Sequence, residues 1–156
     1  MPYETPVTDR MWSDIVNKTT KGYFNLADWE RIYGNALYVH DDIEALLGIT
    51  IAFTTIAALD IETWVDVDDV NALLANINAI NTASAFPVIE GLELLRADWL
   101  AGPYAISPDY EDVNLWEQTL DNIRNYNTYK ADYWIHCGVA AAGQPRFWQA
   151  RFRSVT

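Results

Sequence analysis

The chain has 156 residues, 51% of them apolar, which is enough for one cored domain or at most two small ones. Ten basic residues against 22 acidic ones give a net charge of −12, which excludes nucleic-acid phosphates and anionic membrane surfaces as natural partners. The single cysteine, Cys137, excludes an internal disulfide, and on a strand it would face away from its neighbour His136. In chain order, Pro2 and Pro6 mark a turn-like start. A short helical stretch from Asp9 to Asn17 follows, with Thr8 as its N-cap, and Lys18 to Gly22 reads as a loop.

The first clear helix starts at Asn25, with Asp28 completing a capping-box arrangement. Trp29, Ile32, Ala36, Val39, Ile43, Leu46 and Leu47 share one face, and Gly48 ends the helix. Residues 49–59 are ambiguous, because Ile and Thr favour strand while the alanines favour helix. The apolar run from Leu46 to Leu59 is only about 14 residues long and is interrupted by Thr50, Thr54 and Thr55, too short to cross a membrane. A second helix is capped by Asp66, with Asp69 at its third position; Val70, Leu73, Leu74, Ile77 and Ile80 form its stripe, and it ends near Asn81. Pro87 opens a third, with Val88, Leu92, Leu95 and Trp99 on its face, stopped by Gly102 and Pro103. Ser107-Pro108-Asp109 is a turn signature. The fourth helix begins after Asp112, carries Trp116, Leu120, Ile123 and Tyr126, and reaches Tyr129 or beyond. Trp134 to Val139 and Arg146 to Arg153 alternate with period two around Gly143-Gln144-Pro145, which predicts a β-hairpin. The expectation is a mainly α fold: a helical bundle of repeated units over 1–130, with a short C-terminal β-hairpin over 131–156 packed on the same domain.

The units repeat. Trp12, Tyr23, Trp29, Glu30 and Asn35 recur without a gap as Trp99, Tyr110, Trp116, Glu117 and Asn122, an offset of 87. A middle copy runs through Trp64, Asp66, Asp69, Val70 and Asn76. The asparagine lies ten residues after each cap: Asn25 to Asn35, Asp66 to Asn76, Asp112 to Asn122. It sits about 120° from the first stripe residue, so it borders the apolar face. An asparagine inside a helix has poor propensity. Its recurrence at one phase predicts a specific hydrogen bond to the backbone of the loop ahead of the helix, or of a neighbouring copy. Trp12, Trp64 and Trp99 are expected to lock each entering segment onto its helix. Copied units are packing units first.

The string Lys21-Gly22-Tyr23-Phe24-Asn25-Leu26-Ala27-Asp28-Trp29-Glu30-Arg31-Ile32-Tyr33-Gly34-Asn35, with Thr8-Asp9-Arg10 upstream, resembles a group of small virion proteins. These are encoded beside the tail and host-attachment genes of tailed phages and prophages of Firmicutes. A second tryptophan-led unit with the same asparagine belongs to that pattern, and Trp64 to Ile77 is similar to it. The similarity covers residues 8–80 and, through the internal repeat, 99–126; the C-terminal segment departs from it. The resemblance implies a non-enzymatic bacteriophage structural protein of the tail, tail-fibre or baseplate region, made in the bacterial host cytoplasm and carried in the virion, with no catalytic residues to transfer.

No phosphate-cradling glycine loop, HExxH sequence or zinc-type cysteine spacing occurs, and no cofactor is implied. His40-Asp41-Asp42 could hold a metal in principle, but adjacent helical residues diverge, so a solvated face is favoured. Asp66-Val67-Asp68-Asp69 lacks the central Gly and distal Glu of a calcium loop and reads as helix capping. The carboxylates could supply an acid/base pair, but nothing in their spacing selects one. The expected partners are other virion proteins and further copies of this chain, without membrane insertion. The candidate interface is Tyr104, Tyr133, Trp134, Arg146, Trp148, Arg151, Phe152 and Arg153; the chain's last eleven residues carry +3 against −15 for the rest. The alternative is a carbohydrate-binding module for host attachment, with Tyr104, Tyr110, Tyr126, Tyr129, Tyr133 and Trp134 stacking on surface glycan. A small enzyme is a third reading, and it would need a cleft with convergent polar groups.

Overall fold

A computed structural model describes residues 2–22, 24–58, 66–84 and 108–141, with side chains as far as 129. Four helices appear in it: α1 (Trp12–Val16), α2 (Leu26–Leu47), α3 (Val67–Ser84) and α4 (Tyr110–Ala141), with a 3-10 turn at Thr20–Gly22. The mainly helical expectation holds, and no strand occurs among the described residues. Several boundaries move: α3 ends at Ser84 rather than near Asn81, and α4 starts at Tyr110 rather than after Asp112. Residues 2–10 are non-helical, and α1 is capped at Met11 rather than Thr8, with the Asp14 carboxylate accepting from the Met11 amide at 2.9 Å. Trp134 to Val139, expected as a strand, lies within α4. Period-two alternation over six residues does not outweigh a helix that already continues from Tyr110 and satisfies each amide four residues back. The second strand expected in the hairpin, Arg146 to Arg153, lies outside the described residues, as does the helix expected from Pro87.

Three reciprocal capping boxes set the frame. Asn25 and Asp28 exchange side-chain and backbone bonds at 3.2 and 3.3 Å, Asp66 and Asp69 at 2.9 and 3.3 Å, and Asp109 and Asp112 at 3.1 and 3.0 Å. Asp112 is therefore the third residue of α4, not its cap. Counted from these caps, the core is the same in every copy. Residues four, seven, eleven and fourteen on are Trp29, Ile32, Ala36 and Val39 in α2. They are Val70, Leu73, Ile77 and Ile80 in α3, and Val113, Trp116, Leu120 and Ile123 in α4; all twelve are buried. The structural offset between α2 and α4 is thus 84, from Asn25 to Asp109, and Trp116 takes the place of Ile32 rather than of Trp29. A shift of three residues rotates a helix by 300°, only 60° short of a full turn, so the displaced alignment still matches apolar positions.

Two non-helical straps fill grooves between helices. The first, residues 2–10, meets α2 through Asn35 at Glu4, and meets α4 through Glu117 at Val7 and Asn114 at Arg10. These bonds fall at matching heights from the two caps, so α2 and α4 run in the same direction. The second strap, 49–58, runs back along α2 and returns the chain to the end where α3 starts. Its Ile51 and Ile56 join the core. Gly48 turns the chain out of α2 at φ 65°, a left-handed conformation that suits glycine, with its amide bonded to the Glu44 carbonyl at 2.9 Å. Gly22 is required for close approach: a Cβ there would overlap the backbone of Asp14 and Ile15. Gly22→Ala is expected to push the 3-10 turn off α1 and cost about 1–3 kcal/mol, read as a lowered urea midpoint.

Candidate functional site

The most concentrated chemistry is a buried charge cluster where the first strap crosses α2 and α4. Arg10 Nη2 lies 2.9 Å from both Asp28 Oδ1 and Glu117 Oε1. Arg31 Nη2 lies 2.5 Å from Asp28 Oδ1 and 2.8 Å from Glu117 Oε1, and Arg31 Nε donates to Glu117 Oε2 at 3.1 Å. The Val7 amide adds a further donor to Glu117 Oε2 at 2.7 Å, and Arg10 Nη1 bonds the Val7 carbonyl. Glu117 is fully buried, and the Arg10 side chain is 4% exposed. The hydrogen bond to Glu117 leads, against burial, in holding the Arg31 guanidinium above its ordinary value. Two guanidiniums and two carboxylates form a formally neutral set in which Arg10 Nε is buried without a partner, and the bonds that the carboxylates accept make the cluster a structural lock.

This lock absorbs the motif. Arg10, Asn25, Asp28, Arg31 and Asn35 are five of the polar positions from Thr8 to Asn35, and each holds backbone or charge of the fold, whereas Asp9 pairs with Lys21 at the surface and Glu30 is exposed. Asn35 grips Glu4 with both ends of its amide, accepting from the Glu4 amide at 2.8 Å and donating to its carbonyl at 2.9 Å. Asn76 grips Thr54 in the same way, at 2.7 and 2.8 Å. The expectation of a backbone bond is met at these two asparagines. It fails at Asn122, which is half-buried and grips no segment among the described residues, because the frame of α4 starts three residues earlier. The third gripping residue is Asn114, which accepts from the Arg10 amide at 3.3 Å and donates to its carbonyl at 2.9 Å. Sequence reasoning missed Asn114 and the burial of Glu117. A usable signal existed: Glu117 directly follows the stripe residue Trp116, where the sister helices carry Tyr33 and Leu74.

The other expected residues separate. Trp29 and Trp116 are core. Trp12 does not lock its segment: it is 64% exposed, beside Met11 and Val16 at 58% and 59%, on a five-residue helix that buries none of its residues. Trp64, Trp99, Tyr104, Arg146, Trp148, Arg151, Phe152 and Arg153 lie outside the described residues. Tyr133, Trp134 and Cys137 lie on the backbone of α4, so Cys137 is helical rather than on a strand. Of the stacking candidates, Tyr129 is 67% exposed, Tyr126 is half-buried, and the Tyr110 hydroxyl donates to Glu111 at 2.9 Å. A cavity of about 150 Å³ opens between the 3-10 turn and the start of α4, walled by Lys21, Phe24, Pro108 and Tyr110. Its Lys21 is paired with Asp9 at 2.7 Å, and Asp109 is spent on capping.

His40 is not on a solvated face. It is 8% exposed, with Nδ1 2.9 Å from Asp41 Oδ1 and Nε2 3.2 Å from the Ile51 carbonyl. Both ring nitrogens face acceptors, and only the imidazolium can donate to both. Burial opposes the charge, but Asp41, the Ile51 carbonyl and Glu44 together raise the His40 pKa above its usual 6.5. A raised folded value stabilises fully below the unfolded value and is lost as pH rises through the folded one. The stability advantage of the parent over His40→Gln is therefore expected to be larger at pH 6 than at pH 9, measured by urea titration at both. No group of three or more His, Cys, Asp or Glu that could hold a metal occurs among the described residues, and no helix there is long and apolar enough to cross a membrane. No family model, curated protein or solved structure matches the chain.

Proposed function

We propose that the protein is a non-enzymatic structural and interaction component of a phage virion, from its tail, tail-fibre or baseplate region, that assembles with other virion proteins as an oligomer. The observation that carries this reading is the division of labour in the fold. Five polar residues of the motif that resembles virion proteins are consumed by the fold's own locks, while Met11, Trp12 and Val16 stand exposed on α1 and its cap. Trp and Met are enriched at protein interfaces, and an exposed cluster of this kind favours a partner surface over a substrate pocket. The length of α4 supports the same reading. It has 32 residues against 22 and 18 in its parallel neighbours, so its last turns, which carry Tyr133 and Trp134, extend past them.

Light scattering after size exclusion, together with immunodetection in purified particles, tests the proposal. The expected result is a stable oligomer, incorporation into particles, and loss of assembly in Trp12→Ser without loss of helicity. A strict monomer absent from particles would refute it.

A further inference from the structure

The straps are held by side chains that differ in whether they titrate. Asn35 grips Glu4, Asn114 grips Arg10 and Asn76 grips Thr54, each with one amide that accepts from the strap N–H and donates to the strap carbonyl. A side-chain amide has no titrating proton, so these three grips are the same at any working pH. Val7 is held by Glu117 and by Arg10, whose guanidinium keeps its proton throughout. Ile51 is held differently, by two ionisable side chains one turn apart on α2. The Glu44 carboxylate accepts from the Ile51 amide at 2.6 Å. His40 Nε2 lies 3.2 Å from the Ile51 carbonyl and 3.4 Å from Glu44 Oε1. The His40 ring packs on Phe53 with centroids 4.8 Å apart, and both His40 and Ile51 are buried.

We propose that His40 and Glu44 form a pH-sensitive latch over Ile51, closed by the imidazolium and loosened when the ring goes neutral, so that the second strap opens at its 49–53 end while Thr54 stays gripped. Among the described residues, the charged groups acting on the ring are Asp41, 2.9 Å from Nδ1, and Glu44, both on α2. The strap presents the Ile51 carbonyl and the Phe53 ring, neither of which titrates. The imidazolium donates from both nitrogens and sets a cation beside the carboxylate that holds the Ile51 amide. The neutral ring has one proton to place. On Nδ1, it leaves the Nε2 lone pair against the Ile51 carbonyl and Glu44. On Nε2, it keeps the Ile51 bond as an uncharged one and leaves the Nδ1 lone pair against Asp41, whose side chain is 68% exposed and can turn to water. The second tautomer costs less, so the latch weakens without parting outright. A charge-assisted hydrogen bond is about twice as strong as a neutral one, which sets the change at a several-fold shift in local opening. Opening lifts Ile51 out of the core and Phe53 off His40 and Tyr33. It stops at Thr54, where the Asn76 grip does not titrate.

Amide exchange on the full chain, each rate divided by that of the free peptide at the same pH, tests this independently of any virion role. The His40 ring is titrated by NMR in parallel, and His136→Gln leaves it as the one histidine to follow. Protection of the Ile51 amide is expected to fall by about threefold to tenfold as pH rises through the His40 midpoint, while the Glu4 and Thr54 amides change by less than about twofold. Glu44→Gln keeps an acceptor for the Ile51 amide but removes the carboxylate charge. It is expected to move the ring midpoint and the loss of protection together to lower pH. His40→Gln keeps a donor that does not titrate and is expected to make the protection of Ile51 independent of pH. Protection at Ile51 that stays flat through the His40 midpoint, an equal fall at Glu4 and Thr54, or a His40→Gln chain with the parent's pH dependence would overturn the proposal. If a variant does not fold, the ring titration and the exchange rates of the parent chain decide.

Discussion

Glu117→Ala is expected to destabilise the fold by about 3–5 kcal/mol, the cost of stranding buried charge. The carboxylate is fully buried and accepts from Arg10, Arg31 and the Val7 amide. Without it, two guanidiniums share Asp28 alone, and the first strap loses its middle anchor. Glu30→Ala is the matched control. Glu30 is the partner of Glu117 at an offset of 87, but it is exposed on α2, and its loss is expected to stay within about 0.5 kcal/mol. Equal effects at the two positions would show that the offset of 87, rather than 84, is the working register. Urea midpoints at constant slope give the comparison.

The cluster also predicts non-additivity. Arg10→Met alone leaves Asp28 and Glu117 with one cation, and Glu117→Leu alone leaves two cations with one carboxylate. Made together, they leave a balanced Arg31–Asp28 pair and an apolar patch of similar volume. The double variant is therefore expected to be more stable than the sum of the single losses by about 1–3 kcal/mol, the range found for contacting residues. Additive losses would mean that the two side chains act through separate contacts.

How far the fold was legible depends on which physical signal each residue carried. Capping pairs were readable because Asn25–Asp28 and Asp66–Asp69 combine a cap, an acidic third residue and a stripe that starts on time. At α4 there are two candidate aspartates three residues apart, Asp109 and Asp112, and periodicity alone cannot choose between them, since a three-residue shift keeps most of the stripe. Tryptophan misled for the same reason. Trp29 and Trp116 are both core, but at different stations, and Trp12 is exposed, so residue identity did not fix position. The charge lock was hidden because Arg, Asp and Glu ordinarily read as surface residues. Only geometry shows that Arg10, far from Glu117 in sequence, closes on it. The straps were illegible as a class: their backbone bonds go to side chains, which neither helical nor strand periodicity reports.

Asn76→Ala is expected to cost about 2–4 kcal/mol, from two lost hydrogen bonds and the unmet Thr54 amide and carbonyl. Asn76 is 2% exposed, so water cannot readily replace it. Thr54 lies between anchors that remain, since Glu44 holds the Ile51 amide at 2.6 Å and Tyr33 meets the Ile56 amide at 3.2 Å. The strap should therefore loosen locally, with faster exchange at residues 51–56 before the helices respond. Asn76→Asp separates the two bonds. Its carboxylate still accepts from the Thr54 amide but faces the Thr54 carbonyl with no donor, so at pH 7 the loss is expected to match or exceed that of Asn76→Ala. Because the ionised form is disfavoured in the fold, the introduced acid has a folded pKa above its unfolded value, about 3.9. Stability is then gained as pH falls through the folded value, where the protonated acid regains a donor. The deficit relative to the parent should narrow from pH 7 to pH 4. A deficit independent of pH would mean that Asn76 serves as an acceptor only, and that the two-ended grip does not hold this strap.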